Sequence, residues 1–247
     1  MLSRREFLKF GAYAGAGVML PASLYSRGAF AQAVGPLDPL TQPRWVNQLP
    51  NPLDPAFNFL PTGLATDPLN PTKKIPAYNL QIRETLANVG LYAADGVTPL
   101  GRTTRVWGYG TALQAPTYPG RTFQAPKGTR IQVSYNNRLP ADAASLQLKL
   151  PVDVSLDWAN PGNLGALAPV PLVAHLHGGD SQYLSDGLPE AWETPGAAIK
   201  GPLWSKPYIY DNDQEAGHLW YHDHALGITR TNVYSGLAGN YFIRGLD

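Results

Sequence analysis

Two short stretches of this sequence concentrate its imidazoles. HLHGGDSQYLSD at 175–186 holds His175 and His177, and LWYHDHA at 219–225 holds His222 and His224. Each is a His-x-His pair, and His218 is the only histidine outside them. Side chains alternate across a β-strand with a period of two, so both rings of a pair leave the strand on one face. Two such strands side by side would aim four imidazoles into one space. Neutral imidazole is the commonest protein ligand for metals such as copper, zinc, iron and nickel, so the chemistry on offer is metal binding. A single His-x-His is more often an ordinary strand feature than a metal site. Two pairs on separate strands, each beside glycine or aromatic residues, shift that balance toward a metal.

The neighbours refine the expectation. Gly178-Gly179 removes side-chain bulk where a strand must end close to a ligand site. Trp220 shares strand parity with His222 and His224, while Leu219, Tyr221 and Asp223 take the other face. Asp223 is therefore not expected as a ligand. Two roles stay open for it: an acceptor behind a ligating ring, or a solvated charge. His218 has the right parity, but it lies 4 residues before His222, about 13 Å at roughly 3.3 Å per residue, and is not expected to join. No other catalytic set competes: the sequence has no Gly-rich phosphate loop, no G-x-S-x-G and no H-E-x-x-H. Glu190, Glu193, Asp211, Asp213 and Glu215 form no pairing pattern and are expected mostly in solvent. Tyr183, Trp192, Trp204, Tyr208 and Tyr210 read as packing.

Composition narrows the field further. There is no cysteine, which excludes disulfides, thiolate zinc sites, iron–sulfur clusters and cysteine nucleophiles within these residues. It equally excludes a type 1 copper centre built from them, because that centre needs a thiolate. Net charge is +1 with 15% charged residues, so neither a basic nucleic-acid surface nor a disordered acidic tail is indicated. The 25 glycines and 24 prolines favour many turns and few long helices, and an all-β sandwich follows as the expected class.

The strands that must position the histidines follow from alternation. Residues 1–31 read as an export signal, with Arg4-Arg5 before an apolar run and Ala29-Phe30-Ala31 as a small-x-small cleavage site. That run is too short for a membrane anchor, which needs about 20 residues. Residues 32–75 read as an extended Pro-rich arm, in which Trp45, Phe57 and Phe59 suggest docking on a folded body. The β body, 76–247, is expected to begin near Tyr78. Strands are expected at 78–84, 103–109, 121–125, 129–135, 170–177 and 218–224, with a short one at 208–211 and a closing one at 236–244. A helical turn or two is expected within 225–235, and no second core is apparent.

At the histidine segments a family resemblance enters. HLHGG at 175–179, SDGLPEAW at 185–192, LWYHDHA at 219–225 and TRTNVYSGLAG at 229–239 resemble the first two copper motifs of the multicopper oxidases and the sequence after them. TRVWGY at 104–109 and NNRLP at 136–140 fit the same family, nearest its branch of spore-coat laccase, bilirubin oxidase and phenoxazinone synthase. The start of the chain likewise resembles the twin-arginine signal, which exports folded proteins and implies a periplasmic or secreted product.

The resemblance implies a cupredoxin-like Greek-key β-sandwich or barrel, the first of the family's three cupredoxin domains, with the later ones absent from this sequence. It implies His175 as a type 2 copper ligand and His177, His222 and His224 as type 3 copper ligands, half of the trinuclear set. Asp186 matches an acidic residue near that cluster, with proton supply during dioxygen reduction as its implied role; its plainer reading is an Asp-Gly turn. The partners implied are dioxygen, a small reducing substrate (a phenol, a bile pigment or a metal ion) and the missing cupredoxin domains in cis or trans. Neither nucleic acid nor a stable membrane anchor is expected. The chain is then expected to be inactive alone, as a truncated or split product. A non-catalytic copper-binding or structural module is the rival, and a three-histidine zinc hydrolase the more distant one.

Overall fold

The computed structural model describes residues 38–47, 51–93, 95–101, 103–142, 144–148, 150–153, 158–159 and 169–245. The expected export signal at 1–31 and part of the arm lie outside the described residues. Two compact units divide the chain, Met1–Thr41 and Gln42–Asp247. The first contributes one 3-10 turn, Pro39–Thr41, where the Asp38 carboxylate accepts the Leu40 N–H at 2.9 Å. The second holds the strands. No helix among the described residues is long and apolar enough to cross a membrane.

Among the described residues nine strands build two sheets: β1 (Gly63–Asp67), β2 (Asn70–Asn88), β3 (Thr103–Gly110), β4 (Gly120–Pro126), β5 (Ile131–Asn137), β6 (Ala174–His177), β7 (Tyr208–Tyr210), β8 (Gly217–Asp223) and β9 (Ala238–Arg244). One sheet runs β1-β2-β5-β7 with β3 also on β2, and the other runs β4-β9-β8-β6. Parallel pairs (β2 with β5, β4 with β9) mix with antiparallel ones. Inward side chains from both sheets form one core: Leu80, Ile82, Tyr109, Val133 and Tyr135 from the first, Phe123, Leu176, Tyr221, Tyr241 and Ile243 from the second. This is the all-β, two-sheet sandwich expected from the sequence.

The main departure is at the start of the β body. β2 begins at Asn70, not near Tyr78, and forms a hairpin with β1, so the boundary drawn at 75 and 76 falls inside a strand. Pro71 and Pro76 hide this. They are tolerated because that stretch pairs only with β1, and the pairing to β5 starts at Ala77, leaving one edge that needs no N–H. Phe59 of the arm does dock: it is buried, its ring centroid lies 4.9 Å from that of Phe123, and its N–H donates to the Thr122 carbonyl at 2.9 Å. Phe57 sits under the Arg121 guanidinium, whereas Trp45 is 98% exposed.

Two further expectations need correction. Glu193 and Asp211 are not solvated: buried Glu193 accepts from Lys206 Nζ at 2.8 Å and Trp204 Nε1 at 2.8 Å, and Asp211 pairs with Arg130, which also grips buried Asp67. Their partners lie on other elements, so local spacing could not reveal them. A second, smaller apolar cluster also exists, with Trp158, Val173, Ala225 and Ile228. It is assembled from loops too short to show a period.

Candidate metal centre

The outward face of the second sheet carries the histidines. β6 and β8 pair antiparallel with His175 opposite His222 and His177 opposite Trp220. Alternation sends Ala174 and Leu176 into the core and His175 and His177 outward; on β8, Tyr221 goes inward while Trp220 and His222 go outward. His224 follows directly after the strand, its N–H held by the Val173 carbonyl at 2.8 Å. The four rings adjoin. His175 stacks on His224 at 4.6 Å between centroids, and lies 5.5 Å from His222 and 5.6 Å from His177. Ligating nitrogens of His175, His177 and His222 fall within 4.8 Å of one another. His218 stands apart, stacked on Phe242 and bonded to Asn240.

Carbonyl oxygens fix the orientation of three rings. Nδ1 of His175 faces the Asp186 carbonyl at 2.5 Å, Nδ1 of His222 the Asp223 carbonyl at 2.6 Å, and Nδ1 of His224 the Gly187 carbonyl at 3.0 Å. A carbonyl only accepts, so each Nδ1 carries the proton and each Nε2 keeps a lone pair for a ligand. His177 is the exception: its Nδ1 points at His222 Nε2, 3.1 Å away. Burial pushes His222 down to about 4, with the neighbouring imidazoles reinforcing it and the bond to the Asp223 carbonyl opposing it. Burial likewise lowers His175. These rings are neutral at pH 7, the form that binds a metal. The donor set is thus all imidazole, which fits a borderline transition metal such as copper and not a hard oxygen-seeking ion.

Asp186 lies beside His175, with a carboxylate oxygen 3.6 Å from Nδ1 and a partly exposed side chain. Asp223 takes the first of its two expected roles through its backbone carbonyl, the acceptor behind His222, while its carboxylate is not the solvated charge of the second. It is buried and braces the backbone, accepting from Val173 N at 3.0 Å, Ala225 N at 3.1 Å and Asn232 Nδ2 at 2.9 Å. Burial still raises it to about 7 despite these donors.

Sequence reasoning passed over Asn232, buried on the helix Thr229–Tyr234. Its amide also donates to the Pro171 carbonyl at 3.2 Å, tying that helix to the approach of β6. Trp220 was placed on the right face, but its contact is new: the indole stacks on His222 at 4.1 Å and on His177 at 5.1 Å.

Comparison with known proteins adds to this geometry. Residues 166–247 match the family model described as Multicopper oxidase. A multicopper oxidase LPR1 homolog of Oryza sativa is 45% identical over 140 residues, covering 56% of this chain and 22% of the relative. A laccase of Bacillus stratosphericus is 40% identical over 141 residues, covering 57% and 25%. A laccase of Haloferax volcanii is 29% identical over 248 residues, covering 98% and 36%. The chain therefore spans between 22% and 36% of the length of these relatives.

Proposed function

We propose, for a chain whose residues 166–247 match the Multicopper oxidase family model, that it is the N-terminal cupredoxin part of a laccase-like oxidase. In this reading His175 holds a type 2 copper, and His177, His222 and His224 contribute to a type 3 pair. The remaining ligands and a type 1 centre come from further cupredoxin domains, in cis or in trans. Copper held there supplies one-electron cycling, by which electrons from a phenol, a bile-pigment-like molecule or a metal ion reach dioxygen and yield water. Burial keeps His175 and His222 neutral, and the carbonyls of Asp186, Asp223 and Gly187 leave the Nε2 atoms of His175, His222 and His224 free for a ligand. Asp186 keeps a partly open carboxylate beside His175, placed to pass protons from solvent toward the site. Delivery to the periplasm or outside the cell follows from the twin-arginine reading of residues 1–31.

The observation that carries the proposal is the convergence of four imidazoles on one sheet face with three Nδ1 atoms committed to carbonyls. The test is copper titration of the metal-free protein. Wild type is expected to bind copper stoichiometrically, and His175→Ala and His222→Ala are each expected to lose that binding. Copper uptake indifferent to both substitutions would sink the proposal. With no thiolate among its residues, the 247-residue chain alone is expected not to oxidise a phenolic dye, and turnover at laccase-like rates would refute that division of labour.

A further inference from the structure

We propose that Asp186 and Gly187 act through their backbone: two successive carbonyls of one turn set the proton positions of His175 and His224, and Gly187 is the positioning residue that lets the turn reach both. Its bearing on copper rests on the reading above; the proton positions themselves do not.

Three observations carry it. First, the two rings sit on different segments, His175 in β6 and His224 just past β8, yet adjacent carbonyls meet their Nδ1 atoms at 2.5 and 3.0 Å. Second, the turn gets this close only because residue 187 lacks a side chain. Gly187 has φ +74, and a Cβ there would stand 1.9 Å from the Ala174 carbonyl oxygen, against the backbone of β6 itself. No L-residue fits on both counts. Third, the turn is anchored from behind. Ser185 is buried, its Oγ accepts the Ile209 N–H at 2.9 Å, and its own N–H donates to the Gln182 carbonyl at 2.7 Å. The Asp186 carboxylate is a weaker candidate for orienting His175, since its nearer oxygen is 3.6 Å away. His222 provides an internal control, because its Nδ1 is held by the Asp223 carbonyl and not by this turn. Hydrogen bonds behind ligating histidines ordinarily fix both tautomer and ring orientation.

The experiment is long-range ¹⁵N–¹H NMR of the full metal-free chain at neutral pH, which separates Nδ1–H from Nε2–H imidazoles. Wild type is expected to show Nδ1–H for His175, His222 and His224. Gly187→Ala is expected to abolish the single Nδ1–H form of His175 and His224 while leaving His222 unchanged, and to weaken copper binding by roughly 10- to 100-fold. Asp186→Asn keeps the carbonyl and is expected to leave all three rings as they are. Nε2–H signals for His175 and His224 in wild type would overturn the inference. So would their indifference to Gly187→Ala, or a change of the His175 tautomer in Asp186→Asn. If Gly187→Ala does not fold, the wild-type and Asp186→Asn spectra decide alone. Copper titration of the same samples separates the two claims: Nδ1–H tautomers in a wild type that binds no copper leave this inference standing and remove the copper reading, and stoichiometric copper with the wrong tautomers does the reverse.

Discussion

Tyr221 and His222 are neighbours on β8 and belong to different worlds. Tyr221 faces inward and is wholly buried. Its ring lies 5.0 Å from Tyr109 and 5.3 Å from Phe123, and its hydroxyl donates to the Arg121 carbonyl at 2.6 Å. Gly120 and Gly239, paired across β4 and β9, both press on that ring; a Cβ on either would stand 2.3 Å from the hydroxyl. The outward face carries imidazoles held by one or two hydrogen bonds each and by Trp220, which is itself 38% exposed. One strand thus separates stability from chemistry. The inner face is close-packed and intolerant of change in volume, while the outer face is open and depends on where protons and lone pairs point.

The sharpest way to break this contrast is at Tyr221. Tyr221→Ala removes the aromatic on which the two glycines close, and is expected to cost about 3–5 kcal/mol in urea unfolding of the metal-free protein. A cost near zero would mean that the inner face does not carry the fold. Trp220→Ala is expected to act on the other face. The fold should survive, and copper affinity should fall by roughly 2- to 13-fold, the equivalent of about 0.5–1.5 kcal/mol for a lost aromatic stack; unchanged affinity in titration would deny the indole any part in holding His177 and His222. The smallest effect on stability is expected from His177→Ala. His177 is exposed, and its loss should shift the metal-free unfolding free energy by no more than about 0.5 kcal/mol, even though the same substitution alters copper binding. A large shift in the metal-free protein would show that the imidazoles brace the fold and that the two faces are not separable.

Much of this division is legible in the sequence because alternation is a local property. Parity alone puts His175 with His177 on one face of their strand and Trp220 with His222 on one face of theirs, opposite Tyr221, and TRIQVSY reads as a strand for the same reason. What resists reading is non-local. Nothing in the spacing sets His175 opposite His222, because register depends on how β6 and β8 meet. The inward parity of Asp223 was visible, but its partners at Val173 and Asn232 lie on separate segments, so its backbone-bracing role was not. Asp-Gly at 186–187 looks like any turn. That its carbonyls meet two rings becomes visible only once the turn is seated against β6.

The place of β9 has a consequence for how this protein is made. β4 pairs with β9, so residues 120–126 have no partner in their sheet until residues 238–244 emerge. At about 5–20 residues per second, a ribosome needs roughly 6–24 s to cover that interval. During it β5 and β7 are still being added to the first sheet, the Phe123 strand has only the Asn58–Phe59 backbone beside it, and, late on, both histidine pairs have emerged with no closed core behind them. The same long-range pairing predisposes the domain to fold slowly. For that period the half-built sandwich is exposed at the ribosome, and β8, which carries His222, has both of its sheet neighbours only once β9 has docked.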